Sequence, residues 1–154
     1  MPDYPRLSTR LIGETESALG ALLAPLLAEA ELTFIQWVVL SLAAAGGASS
    51  PGIGRDQLID RITNARKVDA ADVSAAITEL ESAAALVTAG DQVTLTDLGQ
   101  ASFSRVRARV EEITDYVFDL PPEDLAAAGR VLATVSARAN TVLADLGGKS
   151  RRLG

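Results

Sequence analysis

The sequence predicts a mainly α-helical chain that carries one small two-stranded β-hairpin. Three observations predict it. Apolar residues recur at spacings of three and four along most of the 154 residues, in an Ala- and Leu-rich chain with only 4% aromatics, which is the periodicity and the chemistry of helices. One segment, LVTAGDQVTLT (86–96), instead alternates on both sides of Gly90-Asp91, as a tight hairpin does. Pro121-Pro122 interrupts two long apolar stripes near the C-terminus, since proline can open a helix but not continue one.

The first helix is expected from about Arg6 to Ala30, with Leu7, Leu11, Ala18, Leu22 and Leu26 near one stripe and Pro25 bending it. Thr33 can cap a second helix in which Phe34, Ile35, Trp37, Val38, Val39, Leu40 and Leu42 leave almost no polar face, the pattern of a helix buried all round. GGASSPGIG (46–54) is a loop by composition. A third helix, Arg55 to Arg66, carries Leu58, Ile59, Ile62 and Ala65 on one side. A fourth runs to Ala85 with Asp69 and Asp72 at its N-cap and N3 positions and an inner stripe of Val73, Ile77, Leu80 and Ala84. In the hairpin, Val87 and Ala89 are expected to face Val93 and Leu95.

The fifth helix spans Asp97 to about Phe118 with Phe103, Val106, Val110, Ile113 and Val117 inward. The last begins at Glu123 and Asp124, where the helix dipole favours acids, and carries Leu125, Ala128, Leu132, Val135, Ala139, Val142 and Leu146 before a frayed tail, GGKSRRLG. The alternating three- and four-residue steps of these two helices are those of packing seams.

Charge and composition narrow the function. Fourteen Lys and Arg against twenty Asp and Glu give a net charge of −6, the wrong sign for coating nucleic acid through bulk charge, so any DNA contact must be local. Cysteine and histidine are both absent, which removes disulfides, thiol-based peroxide sensing, histidine acid-base catalysis and the usual zinc ligand sets. The glycines of GGASSPGIGRDQ lack both a preceding strand pattern and the Gly-Lys-Ser/Thr ending of a phosphate loop. A non-enzyme without metal or cofactor is expected. The apolar run Leu32 to Gly54 dissolves into Gly, Ser and Pro after about fourteen residues, short of the roughly 20 that span a bilayer, and the start does not resemble a signal peptide. A cytoplasmic, single-domain protein with no membrane span follows as the expectation.

Three helices and then a small hairpin is the order of a winged helix-turn-helix, here over residues 33–96, and the flanking helices over 6–30 and 97–146 supply a dimerisation surface. The words LTFIQWVVLSLAAAG (Leu32 to Gly46), LIDRI (Leu58 to Ile62), ITELESAAALV (Ile77 to Val87), VTLTDLGQ (Val93 to Gln100) and the closing LPPEDLAAAGRVLATVSARANTVLADL occur in order over more than 100 residues. In this the chain resembles the MarR (multiple antibiotic resistance regulator) family of transcriptional regulators. The resemblance implies a homodimer whose fourth helix enters the major groove and whose wing touches the minor groove. It also implies, in some members, a ligand between the DNA-binding and dimerisation regions. Two departures stand out. Residues 63–72, TNARKVDAAD, look like extra length where the family turns tightly, and the wing is only Ala89-Gly90-Asp91-Gln92 without the family's basic Asp-x-Arg arrangement.

On this reading the DNA-binding candidates are Arg55, Arg61, Arg66, Lys67, Ala71, Ser74, Ala75 and Thr78. Arg66 and Lys67 precede the fourth helix, where a phosphate backbone passes. Ser74 and Thr78 can hydrogen-bond a base or phosphate, Ala71 and Ala75 can touch thymine methyls, and all four also read as plain solvent-facing positions. The fourth helix has no Lys or Arg, and residues 33–96 hold four cations against seven acids, a net of −3, which leaves recognition led by shape. Arg105, Arg107 and Arg109 are expected to pair with Glu111 or Glu112. For a small aromatic ligand the candidates are Arg10, Phe34, Trp37 and Tyr116, with ordinary core packing the competing role for Trp37. The expected function is a homodimeric DNA-binding repressor of transcription that a small aromatic effector releases from its double-stranded operator. The alternative is a winged-helix dimer that has lost operator binding and acts through protein or ligand contacts.

Overall fold

The computed structural model describes residues 4–45 and 52–151, with side chains through 148. The chain divides into two units, Met1–Glu112 and Ile113–Gly154. In chain order the elements are α1 (Thr9–Glu29), α2 (Phe34–Ala44), β1 (Ile53–Gly54), α3 (Arg55–Arg66), α4 (Ala70–Ser82), β2 (Leu86–Ala89), β3 (Gln92–Leu95), α5 (Asp97–Val117) and α6 (Pro122–Arg151).

α1 starts at Thr9 rather than Arg6 because Ser8 is extended and its Oγ accepts the Leu11 N–H at 3.2 Å, an N-cap that ends the free chain there. The helix continues through Pro25. It stops where Glu31 takes φ 55° and the Leu32 N–H returns to the Leu27 carbonyl at 2.9 Å, the hydrogen bond of a Schellman turn. Of the expected stripe only Leu26 is buried, joined by Leu27, while Leu7 and Leu22 stay exposed. Among the described residues α1 is the one helix long and apolar enough, by length and composition, to cross a membrane.

Thr33 and Gln36 form a reciprocal capping box at the start of α2, which satisfies two otherwise orphaned N–H groups. The helix is not buried all round in the single chain. Val38, Val39 and Leu40 are buried, but Phe34 is exposed and Ile35, Trp37 and Leu42 are half-buried. Its main packing is against α3, α4 and β3, with smaller contacts to α1 and, through Trp37, to Phe103 of α5.

Of the expected loop 46–54, residues 46–51 lie outside the described residues, and Ile53–Gly54 form a strand instead. The sheet is therefore three-stranded and antiparallel, in the order β1-β3-β2, and not a hairpin alone. A two-residue strand has no periodicity to read, which is why the sequence conceals it.

α3 has its expected bounds and buries Leu58 and Ile62, but Ala65 is exposed because the chain turns away one residue after the helix ends, at Lys67 (φ 55°). α4 buries Val73, Ala76, Ile77 and Leu80. It ends at Ser82 rather than Ala85. Ala84 takes φ 59° and is exposed, and the Ala85 N–H donates to the Leu80 carbonyl at 2.9 Å, so a second Schellman turn delivers Ala85, not Ala84, to the core. Asp69 occupies the N-cap position, yet its side chain makes no capping hydrogen bond.

The hairpin register also differs from the expectation. A two-residue loop makes Ala89 pair with Gln92, so Val87 opposes Thr94 and Leu86 opposes Leu95. The inward side holds the buried Leu86 and Val93, and Val87 is 49% exposed. Shifting a strand by one residue moves every side chain to the other face. Gly90 supplies the positive φ of the turn, 65°.

These elements enclose one core in which Val39, Leu40, Leu58, Val73, Ile77 and Val93 are fully buried. α5 joins it at its N-terminal end through Phe103. There the Thr96 hydroxyl accepts the Gly99 N–H at 3.0 Å and the Thr96 N–H donates to the Ala85 carbonyl at 3.1 Å. This holds Gly99 so close that a Cβ would stand 2.0 Å from the Ala85 oxygen. Arg107 pairs with Glu111 at 2.6 Å as expected, whereas Arg109 reaches Glu29 of α1 at 3.8 Å.

In the second unit α6 runs past Leu146 to Arg151, so the tail is helical through that residue. Gly147 and Gly148 each cost a helix only about 1 kcal/mol. Leu132, Val135, Val142 and Leu146 form a stripe that is exposed in the single chain.

Two stability predictions follow from the α4–β2 corner. Gly99→Ala should destabilise the fold by about 2–3 kcal/mol or more, because the new methyl group meets backbone that cannot rotate away. Ala84→Gly should stabilise it by about 0.5–1 kcal/mol by relieving a left-handed alanine, net of the entropy glycine adds to the unfolded chain. Urea unfolding midpoints at constant m-value check both.

Candidate nucleic-acid interface

Burial of Val73, Ala76, Ile77 and Leu80 leaves the opposite side of α4 to solvent. Ala71, Ala75, Thr78 and Ser82, at steps of four, three and four, form an exposed row of small uncharged side chains, one helical face by geometry. Asp72 and Glu79 flank it and are exposed too.

Arg55 organises the edge of this face. It is the first residue of α3, directly after β1, and its backbone N–H donates to the Asp91 carbonyl in the β2–β3 turn at 2.8 Å. Its Nη1 meets Glu81 Oε1 at 3.3 Å, while Nη2 lies 3.4 Å from both Ser74 Oγ and Thr78 Oγ1. The Glu81 carboxylate also accepts the Thr88 hydroxyl of β2. Arg55 thus ties α3 to the wing through its backbone and to α4 through its guanidinium, and it brings three DNA-binding candidates, Arg55, Ser74 and Thr78, into one cluster.

Glu81 and Thr88 belong to that cluster and are not among the candidates read from the sequence. Ser74, Thr78 and Glu81 share a helical row, which is the signal that could have found Glu81. The hairpin register, on which Thr88 depends, carried no such signal.

The remaining cations stand at the far end of α3. Arg61, Arg66 and Lys67 are exposed, and none forms an ion pair among the described residues. The Arg66 guanidinium lies 5.3 Å from the centroid of the Phe34 ring, within cation–π range.

The ligand candidates fall in different surroundings. Arg10 is exposed and paired with Glu14 at 2.7 Å. Trp37 is half-buried and stacks on Phe103, ring centroids 5.2 Å apart, against the core. Phe34 is exposed and borders an open groove of ≈ 420 Å³ together with Glu16, Leu23, Ala24, Leu27 and Leu32. Tyr116 belongs to the second unit, where it is 86% exposed. Gln36 is engaged, donating to Glu79 of α4 at 2.7 Å. The groove's α1 residues went unread in the sequence because their spacing is that of any amphipathic helix.

No family model and no curated protein matches the chain. Solved structures do. Ligand-free NadR superimposes with a TM-score of 0.72 at 21% identity, over 88% of this chain and 98% of that one. A MarR family protein of Mycobacterium tuberculosis in complex with salicylic acid matches with a TM-score of 0.60 at 21% identity, over 85% of this chain and 99% of that one. The chain has the MarR fold. CouR from Rhodococcus jostii, bound to p-coumaroyl-CoA, matches with a TM-score of 0.66 at 16% identity, over 81% and 88%. The extra length expected against the MarR pattern at residues 63–72 is not a longer loop. Thr63–Arg66 complete α3 and Ala70–Asp72 open α4, which leaves only Lys67, Val68 and Asp69 as the turn.

Proposed function

We propose that this chain is a homodimeric, ligand-responsive transcriptional regulator that acts as a repressor on double-stranded DNA in the cytoplasm, without catalysis or cofactor. The observation that carries the reading is the uncharged outer row of α4 together with Arg61 of α3 and Arg66 and Lys67 at the α3–α4 turn, which form no ion pair among the described residues. Ala71, Ala75 and Thr78 can approach base edges and thymine methyls closely, while Arg61, Arg66 and Lys67 supply the phosphate contacts that the row lacks. Residues 33–96 form the DNA-binding part of one MarR-like domain over 1–154, and the helices over 6–30 and 97–146 pair two copies. The exposed apolar stripe of α6 supports that pairing, since solvent-exposed contiguous apolar faces mark interfaces.

Ligand response is supported by similar folds solved with salicylic acid and p-coumaroyl-CoA. It is also supported by Phe34, which borders the groove and carries Arg66. A small aromatic acid is the effector class. A second reading, a dimer that has given up operator binding for protein or ligand contacts, is favoured by one feature, the engagement of Arg55 by Glu81.

Fluorescence anisotropy against the duplex upstream of the chain's own gene and a scrambled control, at about 50 and 200 mM salt, tests the first reading. Salt-sensitive preference for the upstream duplex supports it, and absence of binding to either duplex turns the weight to the second. The double variant Arg66→Ala, Lys67→Ala should weaken specific and mixed-sequence binding alike and flatten the salt slope by up to about two units; an unchanged slope removes these residues from the phosphate contacts. Leu132→Asp should yield monomers or unfolded chain by sedimentation velocity, and an unchanged dimer would exclude this stripe from the interface.

A further inference from the structure

We infer that Glu81 is a built-in competitor of DNA phosphate for Arg55, an acid on α4 that lowers DNA affinity by occupying a cation poised at the interface. The inference rests on the regulator reading and deepens it by assigning a residue that governs affinity. Arg55 stands between the two elements that face DNA on that reading, with its backbone on the wing turn at Asp91 and its side chain along α4. A carboxylate and a phosphodiester present similar pairs of acceptor oxygens to a guanidinium. Both groups of the present pair remain reachable, at 27% and 29% side-chain exposure, so exchange of one anion for the other needs no unfolding.

The contact does more than neutralise one charge. With Arg55 drawn toward Glu81, its Nη2 lies against the Ser74 and Thr78 hydroxyls, the two hydrogen-bonding candidates of α4. When a phosphate draws the guanidinium outward, Ser74 Oγ is released, while Thr78 Oγ1 regains an acceptor position and still donates to the Ser74 carbonyl at 3.1 Å. Thr88 holds the carboxylate from the wing side and keeps it in place as the competitor. Among the described residues, Arg61, Arg66 and Lys67 have no such acid.

The test uses the full-length protein and a 30-base-pair duplex of mixed sequence, because a phosphate contact is independent of sequence. Glu81→Gln should bind the duplex more tightly and steepen the dependence of log K on log salt by about one unit, the value of one added phosphate contact. Glu79→Gln removes the same charge from the same helix without touching Arg55. In an Arg55→Gln background the gain from Glu81→Gln should vanish while any gain from Glu79→Gln persists.

Equal effects of the two Gln variants in both backgrounds would mean general charge repulsion and would overturn the inference. Binding by the wild type with no change in Glu81→Gln overturns it while leaving the regulator reading intact. No binding by the wild type or any variant at low salt overturns both. If circular dichroism finds Glu81→Gln unfolded, Glu81→Asp decides: it keeps the charge and withdraws the carboxylate by one methylene, so a steeper slope supports the inference and a wild-type slope sinks it.

Discussion

The rotational phase of α4 is the constraint on which the rest of the structure depends. Val73, Ala76, Ile77 and Leu80 are locked into the core with α2, α3 and the sheet, and full burial of each large aliphatic contributes about 1.5–3 kcal/mol. Polar contacts on the outer side are worth roughly 0.5–1.5 kcal/mol each, too little to rotate the helix against that packing. The outward row of Ala71, Ala75, Thr78 and Ser82 is therefore a consequence of what faces inward. The same helix ends in the turn whose Ala85 carbonyl receives Thr96 and crowds Gly99, so the start of α5 is placed by α4 as well.

That phase gives the candidate interface an unusual electrostatic arrangement. The row that would enter a groove carries no charge, and its flanks, Asp72 and Glu79, are acidic. Attraction to a polyanion has to come from α3, where Arg55, Arg61 and Arg66 share the helix with Asp56 and Asp60. Few phosphate contacts mean a shallow salt dependence and weak non-specific binding. On the proposed reading, discrimination then depends on close fit and on the shape of the DNA. Small side chains are suited to this, since they let the helix backbone approach the groove.

Most of the fold was legible because its helices are amphipathic. The bounds of α3 and the inner residues of α4 follow from period and the start of α2 from its Thr33 cap, and the burial of Val73, Ile77 and Leu80 agrees with them. What escaped notice depends on tertiary geometry. β1 is two residues long and exists only because β3 pairs with it. Ala84 sits in a left-handed turn where glycine is usual, so nothing in the composition ends the helix there. At the interface, Arg55, Ser74 and Thr78 were legible as separate candidates. Their convergence, and Glu81 with Thr88 behind them, required the hairpin register. Counting charges found too few cations but not which of them is already paired.

The first turn of α2 connects these local facts to the response that the proposed function requires. Phe34 contacts Arg66 at the end of α3, and two residues on Gln36 is bonded to Glu79 of α4. Both α3 and α4 are thus attached to one turn, which the Thr33 capping box closes. Phe34 also borders the groove along α1. An occupant that moved this ring would disturb Arg66 directly and Glu79 through the same turn. An exposed cation–π contact is worth about 0.5–1 kcal/mol, and a hydrogen bond to a charged group about 1.5–3 kcal/mol. Losing the hydrogen bond, with or without the cation–π contact, overlaps the range of about 1–3 kcal/mol typical of allosteric coupling, enough on the proposed reading to shift DNA affinity several-fold or more with no rearrangement of the core.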